Sequence, residues 1–227
     1  MSIAENIDLI TTHLPANVRL IAVSKTKPAE LLLEAYQHGQ RYFGENKVQE
    51  MVWKQEELPK DIGWHFIGHL QSNKVKYIVP FVQLIHGIDS FKLLKTIDAE
   101  AKKVSRIIPY LIQFHIAEEE TKFGFSIEEA LEMLNSTDFR SLENVAISGV
   151  MGMATYTDNE NQVRKEFSNL KKIFEKLKSE FFAGNADFKE ISMGMSGDYQ
   201  IAVEEGSTMV RIGSTIFGER NAKQTTI

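Results

Sequence analysis

Lys25 stands directly after an apolar run, Leu20-Ile21-Ala22-Val23-Ser24, and the following Thr26-Lys27-Pro28 opens a helix. A lysine that ends a buried strand aims its amine at the strand ends, where partial desolvation frees the nitrogen lone pair. Such an amine can attack a carbonyl and form a Schiff base. Its stem can equally do no more than cover apolar surface. Lys27 is expected to be solvated.

Two late stretches could hold an anion. Ser192-Met193-Gly194-Met195-Ser196-Gly197 leads into a short helix over 198–205, and Arg211-Ile212-Gly213-Ser214-Thr215 closes the last apolar run. Both read as small-residue loops at helix starts, where free amides and hydroxyls converge. Turn chemistry also selects Ser and Gly. His65 and His69 have the i, i+4 spacing of helical metal ligands, but Gly68 ends a strand between them, so no metal site is expected. His65 is expected to be hydrogen-bonded at the mouth of the fold. His13, His38 and His86 have no partner legible in the sequence.

These groups need a scaffold that gathers strand ends. Apolar runs begin near Arg19, Arg41, Trp64, Val82, Ile107, Val145, Phe188 and Thr208, with amphipathic segments between them. Near-continuous apolar strands belong to parallel sheets covered on both faces. Ser126 and Glu129 have capping-box spacing. Ser90 precedes a helical stripe through Phe91, Leu94, Ile97, Ala101 and Val104, and Val163 to Phe181 carries the longest stripe. The alternation predicts an α/β fold, a single-domain (β/α)8 TIM barrel over residues 1–227, whose strand ends share one face. An open doubly wound sheet is the alternative, but no GxGxxG follows the first strand. The stretch after the eighth strand is too short for a full helix, so the leading segment 3–14 is expected to cover that gap.

The formal net charge of −5, from 31 acidic and 26 basic side chains, offers no general basic surface for a nucleic-acid backbone. Cysteine is absent, which excludes thiol chemistry and agrees with a reducing compartment. The apolar runs are too short to span a bilayer, and the start resembles neither a secretory signal nor a transit peptide. A cytoplasmic protein without membrane or nucleic-acid partners is expected.

Several phrases together resemble one family: IAVSKTKP at 21–28, FGENKVQE at 43–50, WHFIGHLQSNK at 64–74, GVMGMA at 149–154, ISMGMSGD at 191–198, and STMVRIGSTIFGER at 207–220. By these the chain resembles the pyridoxal phosphate homeostasis proteins (YggS/PROSC type), which share the barrel of the alanine racemase cofactor domain. The resemblance implies a pyridoxal 5′-phosphate (PLP) carrier or regulator without turnover, with the cofactor held as a Schiff base on Lys25. It implies a phosphate site at Ser192, Gly194 and Ser196 and at Gly213 and Ser214, with Arg211 facing the pyridine nitrogen. Asn46 would line the pocket, and Met193 would pack on the ring or belong to the core.

Phe114-His115-Ile116 and Phe123 depart from the family pattern beyond the fifth strand. The implied partners are PLP and the apoenzymes that use it, and a monomer is expected. The alternative is a PLP-dependent amino-acid racemase, which needs a second acid/base opposite the lysine. Tyr156 and Tyr199 are available, but nothing in the sequence favours either. A third possibility is a cofactor-free sugar-phosphate isomerase, with Lys25 as electrophile.

Overall fold

The computed structural model describes residues 1–118 and 123–219. Eight strands alternate with helices: β1 (Arg19–Val23), β2 (Tyr42–Glu45), β3 (Gly63–Phe66), β4 (Leu84–Ile88), β5 (Ile108–Gln113), β6 (Val145–Met151), β7 (Glu190–Met195) and β8 (Met209–Ile212). The main covering helices are α1 (Ile3–His13), α2 (Ala29–Gln37), α3 (Val48–Glu57), α4 (Val75–Ile78) and α5 (Phe91–Lys103). They continue with α6 (Ile127–Asn135), α7 (Thr137–Arg140), α8 (Glu160–Glu180), α9 (Tyr199–Glu204) and α10 (Ser214–Phe217).

Each strand pairs in parallel with the next, and β8 returns to β1 with Ile21 opposite Arg211, closing the barrel. Every apolar run named above coincides with one strand to within two residues. Alternation along the strands sends two sets of side chains to opposite faces. Ile21, Leu84, Leu111, Met151 and Met209 fill the barrel interior. The opposite face, including Ala22, Phe43, Ile112, Val150 and Val210, packs under the helices in the larger core.

The helix starts follow the capping residues. Ser126 and Glu129 form a reciprocal capping box, and the Ser90 hydroxyl accepts from the Leu93 amide. In α8, Val163, Phe167, Leu170, Phe174 and Leu177 are buried, as the stripe requires. Segment 3–14 does cover the gap beside the short last helix. α1 lies against α2 and α10, buries Ile3, Ile7 and Ile10, and donates from Asn6 Nδ2 to the Ile216 carbonyl at 3.0 Å. Among the described residues no helix is long and apolar enough to cross a membrane.

One segment differs from the sequence reading. Ser192 to Met195 is not loop but the end of β7, so the loop shrinks to Ser196 and Gly197. The cause is Gly194, at φ +94°. That left-handed backbone suits glycine, and a Cβ there would sit 2.6 Å from the Ala202 Cβ on α9. The kink breaks the in-out alternation and shifts the register between β7 and β8. Met193 joins Ile191 in the outer core by ordinary alternation, while Met195, beyond the kink, turns inward.

Candidate functional site

At the C-terminal ends of the strands a cavity of about 890 Å³ opens to solvent. Its size falls in the range of ligand pockets, and its position is where barrel proteins place their chemistry. Lys25, Asn46, Ser196, Arg211, Gly213 and Ser214 all line it. Met193, Ser192 and Gly194 do not. Met193 is wholly buried in the outer core, Gly194 faces α9, and Ser192 lies in the barrel beneath the cavity.

The two small-residue loops meet directly: the Gly213 amide donates to the Ser196 hydroxyl at 3.3 Å. Asp198 braces the first loop by accepting from the Met195 amide at 2.5 Å. The first amides of α10, at Ser214 and Thr215, have no intrahelical acceptor. With the Ser196, Ser214 and Thr215 hydroxyls they form a donor-rich corner of the cavity.

Arg211 rises from the floor and is 4% exposed. Burial lowers its guanidinium to about 10, so it stays charged at neutral pH. It donates to the Ser192 hydroxyl at 2.5 Å and to the Gly152 carbonyl at 3.1 Å. Ser192 in turn meets His86 Nδ1 at 2.8 Å, and His86 Nε2 meets His65 Nδ1 at 2.8 Å. Burial, with Arg19 adding, lowers His65 to about 3, and burial also holds His86 well below its ordinary 6.5. Both rings are therefore neutral.

Arginine can only donate, so Ser192 accepts from it. Each neutral ring has one donor and one acceptor nitrogen, so the Ser192–His86–His65 hydrogen bonds all run in one sense, set by the tautomers, and His65 Nε2 has no partner among the described residues. His65 is thus interior rather than at the mouth, and His86 has two partners that the sequence did not disclose. His69 points elsewhere, 2.6 Å from Asp89, so it shares no face with His65.

Lys27 is not a solvated bystander. Its ammonium donates to the Phe217, Gly218 and Glu219 carbonyls at 3.0, 2.9 and 3.0 Å, and it lines the cavity. Unsatisfied carbonyls at the end of α10 attract the cation. The Arg220 that ends the last family phrase lies outside the described residues.

The rim holds groups with no signal in the sequence. Glu166 on α8 accepts from the Thr155 amide at 2.6 Å and its hydroxyl at 2.8 Å, fixing one rim loop. Burial raises that carboxyl, but the hydrogen bonds from Thr155, Gln162 and Glu118 outweigh it and hold it below its ordinary value. Phe123, one of the departures, stacks on His69 with ring centroids 4.6 Å apart, and both border the cavity. Tyr156 is on the rim but 96% exposed, while Tyr199 packs against the core.

An amine, a fixed guanidinium and a hydroxyl-rich corner in one cavity suit a ligand that carries both a carbonyl and a phosphate. The family model described as "Alanine racemase, N-terminal domain" matches residues 1–221. The pyridoxal phosphate homeostasis protein of Aquifex aeolicus (strain VF5) is 41% identical over 89% of this chain and 87% of its own. That of Homo sapiens is 40% identical over 89% and 77%. The structure of PipY from Synechococcus elongatus PCC7942 with PLP bound superposes with a TM-score of 0.87 at 35% identity. That match covers 96% of this chain and all of PipY. An alanine racemase from Clostridium difficile 630 shares the barrel at 15% identity, with a TM-score of 0.78 over 98% of this chain and 60% of its own. Sequence and fold agree over nearly the whole length, and the chain belongs to the pyridoxal phosphate homeostasis protein family.

Proposed function

We propose that this chain binds pyridoxal 5′-phosphate in the strand-end cavity and holds it for intracellular supply, without turning over a substrate. The observation that carries the reading is the convergence of Lys25, Arg211 and the Ser196 and Gly213-Ser214 loops on one cavity. The kinship with pyridoxal phosphate homeostasis proteins and the PLP bound to PipY support the choice of ligand.

Bound PLP would supply an aldehyde, and Lys25 is the amine of the cavity that would hold it as a Schiff base. Ser196, Ser214 and the amides beside them would hold its phosphate, and Asn46 would line the rest of the pocket. Arg211 cannot accept a proton, so a ring nitrogen facing it stays unprotonated and the ring is a poor electron sink. That disfavours carbanion chemistry and favours storage. Tyr156 is too exposed to serve as a held second base, which weakens the racemase reading. A monomeric cytoplasmic protein that delivers PLP to apoenzymes completes the proposal.

The test is the visible spectrum of the purified protein with added PLP, before and after borohydride, with the adduct mapped by mass spectrometry. A yellow band that reduces to a phosphopyridoxyl group on Lys25 supports the reading. A colourless protein without adduct overturns it, and lysine-dependent racemisation would replace storage with catalysis.

A further inference from the structure

The backbone on both sides of Lys25 is tied to one buried ammonium. Lys54, on α3, is completely buried, and its three protons meet three acceptors. These are the Ser24 carbonyl at 2.8 Å, Glu45 Oε1 at 2.7 Å and Glu50 Oε1 at 2.7 Å. The two carboxylates close the circuit. Glu45 Oε1 accepts from the Ser24 hydroxyl at 2.6 Å, and Glu50 Oε1 accepts from the Thr26 amide at 2.6 Å.

Thr26 needs that tie. It sits at φ +64°, a left-handed conformation that a β-branched residue avoids unless its surroundings impose it. The residue before Lys25 is thus pinned by hydroxyl and carbonyl, and the residue after it by its amide. Two carboxylates around one ammonium form a costly cluster to bury, since apolar side chains would fill the same space without desolvation. None of the three lines the cavity, so ligand contact does not account for them.

We propose that Lys54, Glu45 and Glu50 are positioning residues for Lys25, presetting the reach of its amine toward the carbonyl of the ligand. The proposal rests on the PLP reading above. It predicts that the cluster governs covalent capture and leaves phosphate recognition alone, because the phosphate loops lie at the ends of β7 and β8. Holding a nucleophile in line is worth orders of magnitude, and small displacements forfeit much of it.

Glu50 is partly exposed at the cluster edge, so Glu50→Ala is the first variant, with Glu50→Gln retaining an acceptor oxygen. Each full-length protein is titrated with PLP and with pyridoxine 5′-phosphate, which lacks the aldehyde and reads the non-covalent contacts alone. In Glu50→Ala, pyridoxine 5′-phosphate affinity stays within about twofold while PLP affinity and the borohydride-trapped adduct on Lys25 fall about tenfold. Glu50→Gln stays near the parent. Adding Thr26→Gly to Glu50→Ala recovers capture, because glycine takes the left-handed conformation unaided.

An unchanged ratio of the two affinities in Glu50→Ala overturns the proposal. Equal loss of both ligands also overturns it, since that marks general damage. A parent protein that forms no adduct on Lys25 removes the PLP reading itself, a result separate from either.

Discussion

Arg211 and His86 meet at opposite sides of one hydroxyl: Ser192 lies 2.5 Å from the guanidinium and 2.8 Å from His86 Nδ1. Ser192→Ala leaves both nitrogens buried without this partner. It should cost about 1–3 kcal/mol of stability, read by urea denaturation, and loosen the guanidinium. PLP retention should then weaken with a shifted absorption band; an unaltered band would mean that Arg211 holds its place without Ser192.

Lys25→Ala separates the two halves of the proposed site. Its borohydride adduct should vanish, while phosphate-ester binding persists through Ser196, Gly213 and Ser214, whose contacts do not involve the amine. Equilibrium dialysis with pyridoxine 5′-phosphate checks this, and complete loss of binding would show that the loops do not act independently.

Glu45 gives the fold an unusual pH response. Burial, opposed by Lys54, raises its carboxyl from the ordinary 4.5 to about 7. Between those values the folded state holds a proton that the unfolded chain has released, so this group's contribution to stability falls as pH rises from about 4.5 to about 7. His65 and His86 act oppositely, since their lowered pKa values make the unfolded chain the better proton binder below about 6.5. Glu45→Gln removes only the first effect. Its stability relative to the parent should climb between pH 4.5 and 7, measured by denaturation midpoints in pH steps; a constant difference would mean that Glu45 titrates normally.

Gly194→Ala tests the strand kink. The added methyl meets Ala202 at 2.6 Å on a backbone at φ +94°, so both packing and conformation oppose it. A loss of about 1–3 kcal/mol is expected, read as a lowered Tm. If Tm is unchanged, the kink is not required.

Hydrophobic periodicity disclosed the strands and the long α8 stripe because it is local, and Lys25 was legible because an apolar run ends at it. The Gly194 kink was hidden: a serine-glycine-rich stretch reads as loop unless its φ is known. The histidine chain was hidden for another reason, because His65, His86 and Ser192 come from β3, β4 and β7. Glu50 and Lys54 show only the i, i+4 spacing of an ordinary surface pair. Nothing along the chain says that β1 and β2 carry Ser24 and Glu45 to them.

Barrel closure also bears on the order of events during synthesis. Lys25 follows β1, which is synthesised before the other seven strands, whereas Arg211, Gly213 and Ser214 come from β8 and the turn beyond it. They become neighbours only when β8 pairs with β1 and Lys27 takes hold of the carbonyls after α10. A nascent chain lacking that final strand has the amine but neither the guanidinium nor the second loop. Cofactor capture by such a protein would therefore be a signal of barrel closure, and acquisition of colour would report that its first and eighth strands have met.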